Sequence, residues 1–250
     1  ILAAMSAAML WNGLMTLLGL PVSGSHSLIG GLLGAALFQA GIVGIKMKGV
    51  ITVLLALLFS PLLGMLFGFL FMASLMWTFR RMAPSALNRW FGFLQMGSAG
   101  FMALSHGTND AQKVMGIITL ALVSGGVQST FDVPMWVMIS CGVVIGLGTA
   151  FGGWRVIKTL GHGLMKLQPI HGFAAETCAV GVLMGAATFG VPVSTTHVIT
   201  SSIIGVGAAK KFSAVKWGVG GKILLAWVFT FPCTMGVAAL FVALFRSLNF

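Results

Sequence analysis

A short phrase occurs twice in this chain, each time inside a stretch too apolar for a water-soluble protein. Leu20-Pro21-Val22-Ser23-Gly24-Ser25-His26 returns 171 positions later as Val191-Pro192-Val193-Ser194-Thr195-Thr196-His197, and the same offset carries Gly34 onto Gly205 and Pro61 onto Pro232. The correspondence runs through about forty positions, which marks a duplicated structural unit. An apolar unit broken at the same place in both copies by proline and hydroxyl residues is the pattern of a secondary transporter, whose discontinuous helices meet at a midplane site. The predicted fold is an all-α, polytopic membrane protein with two inverted repeats and broken helices at a central site.

Composition supports the membrane. Of 250 residues, 58% are hydrophobic and 7% charged, with a mean hydropathy of +1.05, whereas roughly a quarter of an ordinary soluble domain is charged. The net charge of +11 resides in small clusters between apolar runs, such as Lys46 with Lys48, Arg80 with Arg81, and Lys210 with Lys211 and Lys216. Such clusters set topology and meet lipid headgroups. No basic face with interleaved aromatics points to nucleic acid. Cys141, Cys178 and Cys233 lie in apolar runs without pairing or metal-ligand spacing and read as packing residues. No phosphate-binding glycine loop or nucleophile elbow is visible, so no catalysis, metal or cofactor is expected.

The runs fall into three segments: residues 1–79 as the later part of a first repeat, 80–89 as a polar connecting loop, and 90–250 as the second repeat. In the first, apolar runs over 1–20 and 27–45 precede a long run over 49–79 with Pro61 as a kink. In the second, the run from Trp90 is interrupted by Ser105-His106-Gly107-Thr108-Asn109-Asp110, and Trp136 to Trp154 forms a tryptophan-bracketed span. Residues 155–168 read as an interfacial connector. The order of the first repeat then returns, with runs over 173–190, 198–209 and 217–245. Glycines in small-xxx-small spacing, among them Gly30 with Gly34, Gly64 with Gly68, Gly142 with Gly146, and Gly181 with Gly185, predict close helix packing. A first-copy partner of Asn109-Asp110 would fall upstream of Ile1, so the first repeat reads as lacking its beginning.

At each repeated break, proline ends one helix and serine suits the cap of the next, leaving first-turn N–H groups unpartnered. Within a bilayer those donors cost several kcal/mol each unless satisfied, and an oxyanion satisfies them well. The alternative is a cap at the membrane surface, satisfied by water. Only three acidic residues occur: Asp110, Asp132 and Glu176. Asp132 lies in the polar segment 124–134 and reads as a solvated loop charge. Asp110 and Glu176 lie within apolar surroundings, where an ionisable group is a functional candidate. Asp110 could instead pair with Lys113 at i, i+3, and Glu176 could be only a helix N-terminal charge. His26 and His197, at matched positions, suit proton handling, ligand contact or, as preferred here, a helix-packing hydrogen bond.

Ser105-His106-Gly107-Thr108-Asn109-Asp110-Ala111-Gln112-Lys113, together with the two Pro-Val-Ser-x-[Ser/Thr]-His elements, closely resembles the inorganic phosphate transporter (Pit) family, from Pro21 to Pro232. The resemblance implies multi-pass residence in the plasma (inner) membrane and uptake of inorganic phosphate by an inverted-repeat carrier, with a homodimer left open. It places substrate binding on Ser23, Ser25, Asn109, Ser194, Thr195 and Thr196, with Asp110 as acceptor of a phosphate P–OH or as holder of the coupling ion. Thr108, Gln112, Lys113, Glu176, His26 and His197 are secondary candidates. Gln112-Lys113 is more similar to the bacterial, proton-coupled members than to the sodium-coupled branch, so H+ is the expected coupling cation in preference to Na+. Two alternatives stand beside symport: a passive anion channel, or a carrier of a related oxyanion such as sulfate. A membrane scaffold in which Asn109 and Asp110 only join helices is the third.

Overall fold

Proline and serine at the two repeated breaks end one helix and start the next, and the same turn is built twice. The computed structural model describes residues 1–248. Its helices are α1 (Leu2–Leu18), α2 (Gly24–Ala40), α3 (Met47–Thr78), α4 (Pro84–Ser124), α5 (Met135–Phe151), α6 (Trp154–Lys158, continued by a π turn over Thr159–Leu164), α7 (Pro169–Thr188), α8 (Thr195–Lys210) and α9 (Trp217–Ser247). Among the described residues there is no strand.

Gly19 follows α1 at φ 71 and Gly190 follows α7 at φ 64. Both occupy the left-handed region that a Cβ disfavours. At each, two bonds return to the preceding turn: Gly19 N–H to the Thr16 carbonyl and Leu20 N–H to that of Met15, then Gly190 N–H to Ala187 and Val191 N–H to Ala186. This closing pattern satisfies the last carbonyls of each helix. The chain then runs extended through Pro-Val to a serine cap and turns into α2 or α8.

The repeats interlock by exchange. α2 packs along α9, and its counterpart α8 packs along α3; α1 rests on α2 and α9, as α7 rests on α8 and α3. Small residues permit these approaches. A Cβ on Gly34 would strike the Met235 backbone, and one on the equivalent Gly205 would strike the backbone of Met65 and Phe69. Gly30, Gly64 and Gly68 are similarly enclosed, but Gly142, Gly146, Gly181 and Gly185 have nothing within 4 Å of an added Cβ. For these four, spacing alone misdirects the expectation of close packing.

Three described helices, Met47–Thr78, Pro169–Thr188 and Trp217–Ser247, are long and apolar enough to cross a membrane, and α5 with α6 makes a fourth span if counted through its 56° bend. Large apolar side chains face outward along α3, where Leu54, Leu58, Leu62 and Leu66 are all exposed. A row of that kind is stable against lipid and not against water.

Three local expectations change. The polar stretch expected to be a loop over 80–89 is helical from Pro84, because proline at a first helical position loses no hydrogen bond. The Ser105–Asp110 motif does not break its helix: α4 runs unbroken through 41 residues. The tryptophan-bracketed span ends at Phe151, and Gly153 at φ 81 turns the chain into α6. α6 then holds the end of α1, with the Arg155 guanidinium donating to the Leu17 carbonyl and Thr159 Oγ1 donating to that of Gly19 at 2.7 Å.

Candidate anion site at the paired helix starts

Ser23 and Ser194 are caps of the same geometry. Their backbone angles are φ −88, ψ 116 and φ −92, ψ 117, and each Oγ accepts a hydrogen bond at 3.2 Å from the amide of the third residue of its helix, His26 or His197. The carbonyls of the same serines accept from Ser27 and Val198. Those bonds leave the amides of Gly24 and Ser25 at one start, and of Thr195 and Thr196 at the other, as donors without intrahelical partners. Ser23, Ser25, Ser194 and Thr195 are buried, and Thr196 is half-buried. The alternative of a water-exposed cap at the membrane surface does not fit this burial.

The two starts meet. The imidazoles of His26 and His197 stack with centroids 4.4 Å apart and planes 29° off parallel, and the Trp227 indole covers the other face of His197 at 3.9 Å. The Trp227 Nε1 donates to the Pro21 carbonyl at 2.8 Å, tying α9 to the first break. The two histidines thus meet through their ring faces. Nδ1 of His26 is buried with no hydrogen-bond partner among the described residues.

α4 brings charge to the same place. Asp110 accepts from Thr195 Oγ1 through Oδ2 and from Lys113 Nζ through Oδ1, both at 3.2 Å, and His106 Nδ1 lies 3.4 Å from the same Oδ2. Lys113 Nζ also donates to Ser25 Oγ at 2.7 Å and to the Val193 carbonyl at 3.1 Å. The i, i+3 pair with Lys113 is therefore present, and it reaches both helix starts as well. His106 was not singled out by sequence reasoning. Its position four residues before Asp110, one helical turn away on the same face, was the available signal.

The motif has a second face. Ser105, Thr108, Asn109 and Gln112 line a cavity of about 500 Å³ with Leu183, Met184 and Thr188. Thr108 Oγ1 bonds back to the Leu104 carbonyl at 2.9 Å. Hydrogen bonds thus tie Asp110 and Lys113 to the helix starts, while Asn109, Thr108 and Gln112 line this cavity. Glu176 stands elsewhere: its Oε2 accepts from Ser98 Oγ at 2.5 Å, and Ser98 precedes Asp110 by twelve residues, about 18 Å along a helix axis.

What this arrangement can do is hold a small oxyanion. Lys113 and the stacked histidines link the two helix starts, and free amides, positive helix ends and hydroxyls of this kind suit a small oxyanion, with the Asp110 carboxylate beside the second start able to accept from a P–OH. The family model described as the phosphate transporter family matches residues 1–87 and 80–238. A probable low-affinity inorganic phosphate transporter of Rhizobium meliloti (strain 1021) is 46% identical, over 96% of this chain and 72% of that protein. One from Bacillus subtilis (strain 168) is 41% identical over 97% and 74%. A solved structure titled the sodium-dependent phosphate transporter superposes with TM-score 0.85 over 98% of this chain and 78% of its own, at 24% identity, and so speaks to the fold. From both the motifs and these matches, the chain belongs to the phosphate transporter family.

Proposed function

We propose that this chain carries inorganic phosphate across the plasma membrane by cation-coupled symport, one repeat moving against the other around the paired helix starts. The observation that carries the reading is the meeting of two serine-capped helix starts, 171 positions apart in sequence, with Asp110 bonded to Thr195 of the second and its partner Lys113 bonded to Ser25 of the first. The curated relatives named as probable low-affinity inorganic phosphate transporters support the substrate. An inverted arrangement of the repeats accords with the exchanged packing of α2 on α9 and α8 on α3. On this reading Ser23, Ser25, Ser194, Thr195 and Thr196 surround the anion, and H+ is the coupling cation that the Gln112-Lys113 pair favours.

Asp110 gives the site its preference. Helix ends and hydroxyls bind sulfate as readily as phosphate, but phosphate near neutral pH retains a P–OH that donates to a carboxylate, whereas sulfate sets an oxyanion against it. Labelled phosphate uptake by the full-length protein in proteoliposomes tests the function, with proton and sodium gradients imposed separately. Accumulation above the external concentration is expected. Equilibration without accumulation would mean an anion channel, and no phosphate flux would mean a scaffold.

A further inference from the structure

Lys113 Nζ has three N–H donors, and three oxygens receive them: Ser25 Oγ at 2.7 Å, Asp110 Oδ1 at 3.2 Å and the Val193 carbonyl at 3.1 Å. An ammonium offers three donors and no acceptor, so this one has none left for a substrate. The three acceptors come from different elements: the start of α2 in the first repeat, α4, and the extended segment before α8 in the second. A hydroxyl, a carboxylate and a backbone carbonyl converging on one point are the oxygen types that hold hard cations. The point is half-buried, beside the amides proposed to receive an anion.

We infer that the Lys113 ammonium is a tethered counter-cation, occupying an oxygen cage that would otherwise take a diffusible alkali cation, so that phosphate enters this site without sodium. The inference rests on the phosphate reading above and deepens it. The ammonium bonds Oδ1 alone, so it offsets part of the Asp110 charge while Oδ2, which accepts from Thr195, keeps the lone pairs that would receive a P–OH. Because the cation is covalently held, it also joins the two repeats while the site is closed. Lys113 thus acts as a positioning and charge-compensating residue, and the anion is bound by the helix starts.

The test is exchange of labelled phosphate by the full-length protein in proteoliposomes, in sodium chloride or choline chloride at equal ionic strength. Wild-type exchange is expected to be the same in the two salts within about twofold, and Lys113→Gln to fall at least about tenfold in choline and recover most of that loss in sodium. Lys113→Arg, which retains a fixed cation, is expected to remain indifferent to sodium whatever its absolute rate. A sodium requirement in the wild type overturns the inference, as does a folded Lys113→Gln that exchanges equally in both salts or in neither. If the Gln variant is not recovered folded, the wild type and Lys113→Arg decide the matter, and a sodium requirement in either is contrary. A wild type that exchanges no phosphate in either salt overturns the phosphate reading itself.

Discussion

His26 and His197 stack ring on ring at 4.4 Å, although 171 residues separate them. The contact joins equivalent positions of the two repeats, so it marks the place where they face each other. The surroundings of the pair are unequal. Trp227 covers His197 at 3.9 Å, while the position equivalent to Trp227 in the first repeat is the small, buried Ala56.

That inequality predicts different costs for the two histidines. His197→Ala removes stacking on both faces and leaves a cavity under Trp227, with an expected loss of about 2–4 kcal/mol. His26→Ala is expected to cost less, and the two losses are expected to be non-additive because the rings touch. Thermal unfolding of the purified variants in detergent measures all three quantities. Equal, additive losses would contradict the stack.

The exchanged helix packing is tested at matched glycines. Gly34→Ala and Gly205→Ala each drive a Cβ into a neighbouring helix backbone, with an expected destabilisation of about 1–3 kcal/mol. Gly142→Ala, where the Cβ meets nothing within 4 Å, is expected to be neutral or to stabilise by up to about 1 kcal/mol. Monodisperse yield and the midpoint of thermal unfolding separate the two classes.

Much of this was legible in the sequence because the signals are local. Proline followed by serine fixes where a helix ends and the next begins, and Gly34 with Gly205 follows from the repeat itself. Less legible were features that depend on the third dimension. Ser105–Asp110 looks like an interruption because it is polar, yet polar side chains can line two faces of an unbroken helix: His106, Asp110 and Lys113 face the caps, while Ser105, Thr108, Asn109 and Gln112 face a cavity. Trp227 reads as one more apolar residue in a long run. Only its distant partners, His197 and the Pro21 carbonyl, reveal its place. Glu176 shares an apolar run with the second break, but its bond to Ser98 sets it beside an earlier part of α4.

Capping and anion binding are separable at Ser194. Ser194→Ala removes the bond to the His197 amide and is expected to destabilise by about 1 kcal/mol. Ser194→Asp retains a good cap, so stability is expected to stay within about 0.5 kcal/mol, but it adds a negative charge where the anion is proposed to sit. Phosphate affinity is then expected to fall at least about tenfold, with isothermal titration as the measurement. Retained affinity in Ser194→Asp would place the anion elsewhere.

The proposed roles of the helix starts and Asp110 meet in one measurement: labelled phosphate uptake by the full-length protein in proteoliposomes, for wild type and Asp110→Asn, against an excess of sulfate. Wild-type uptake is predicted to persist under sulfate, and the residual uptake of Asp110→Asn to become sulfate-sensitive, because the amide no longer repels an unprotonated oxyanion. Unchanged selectivity in Asp110→Asn would contradict the assignment of phosphate preference to this carboxylate.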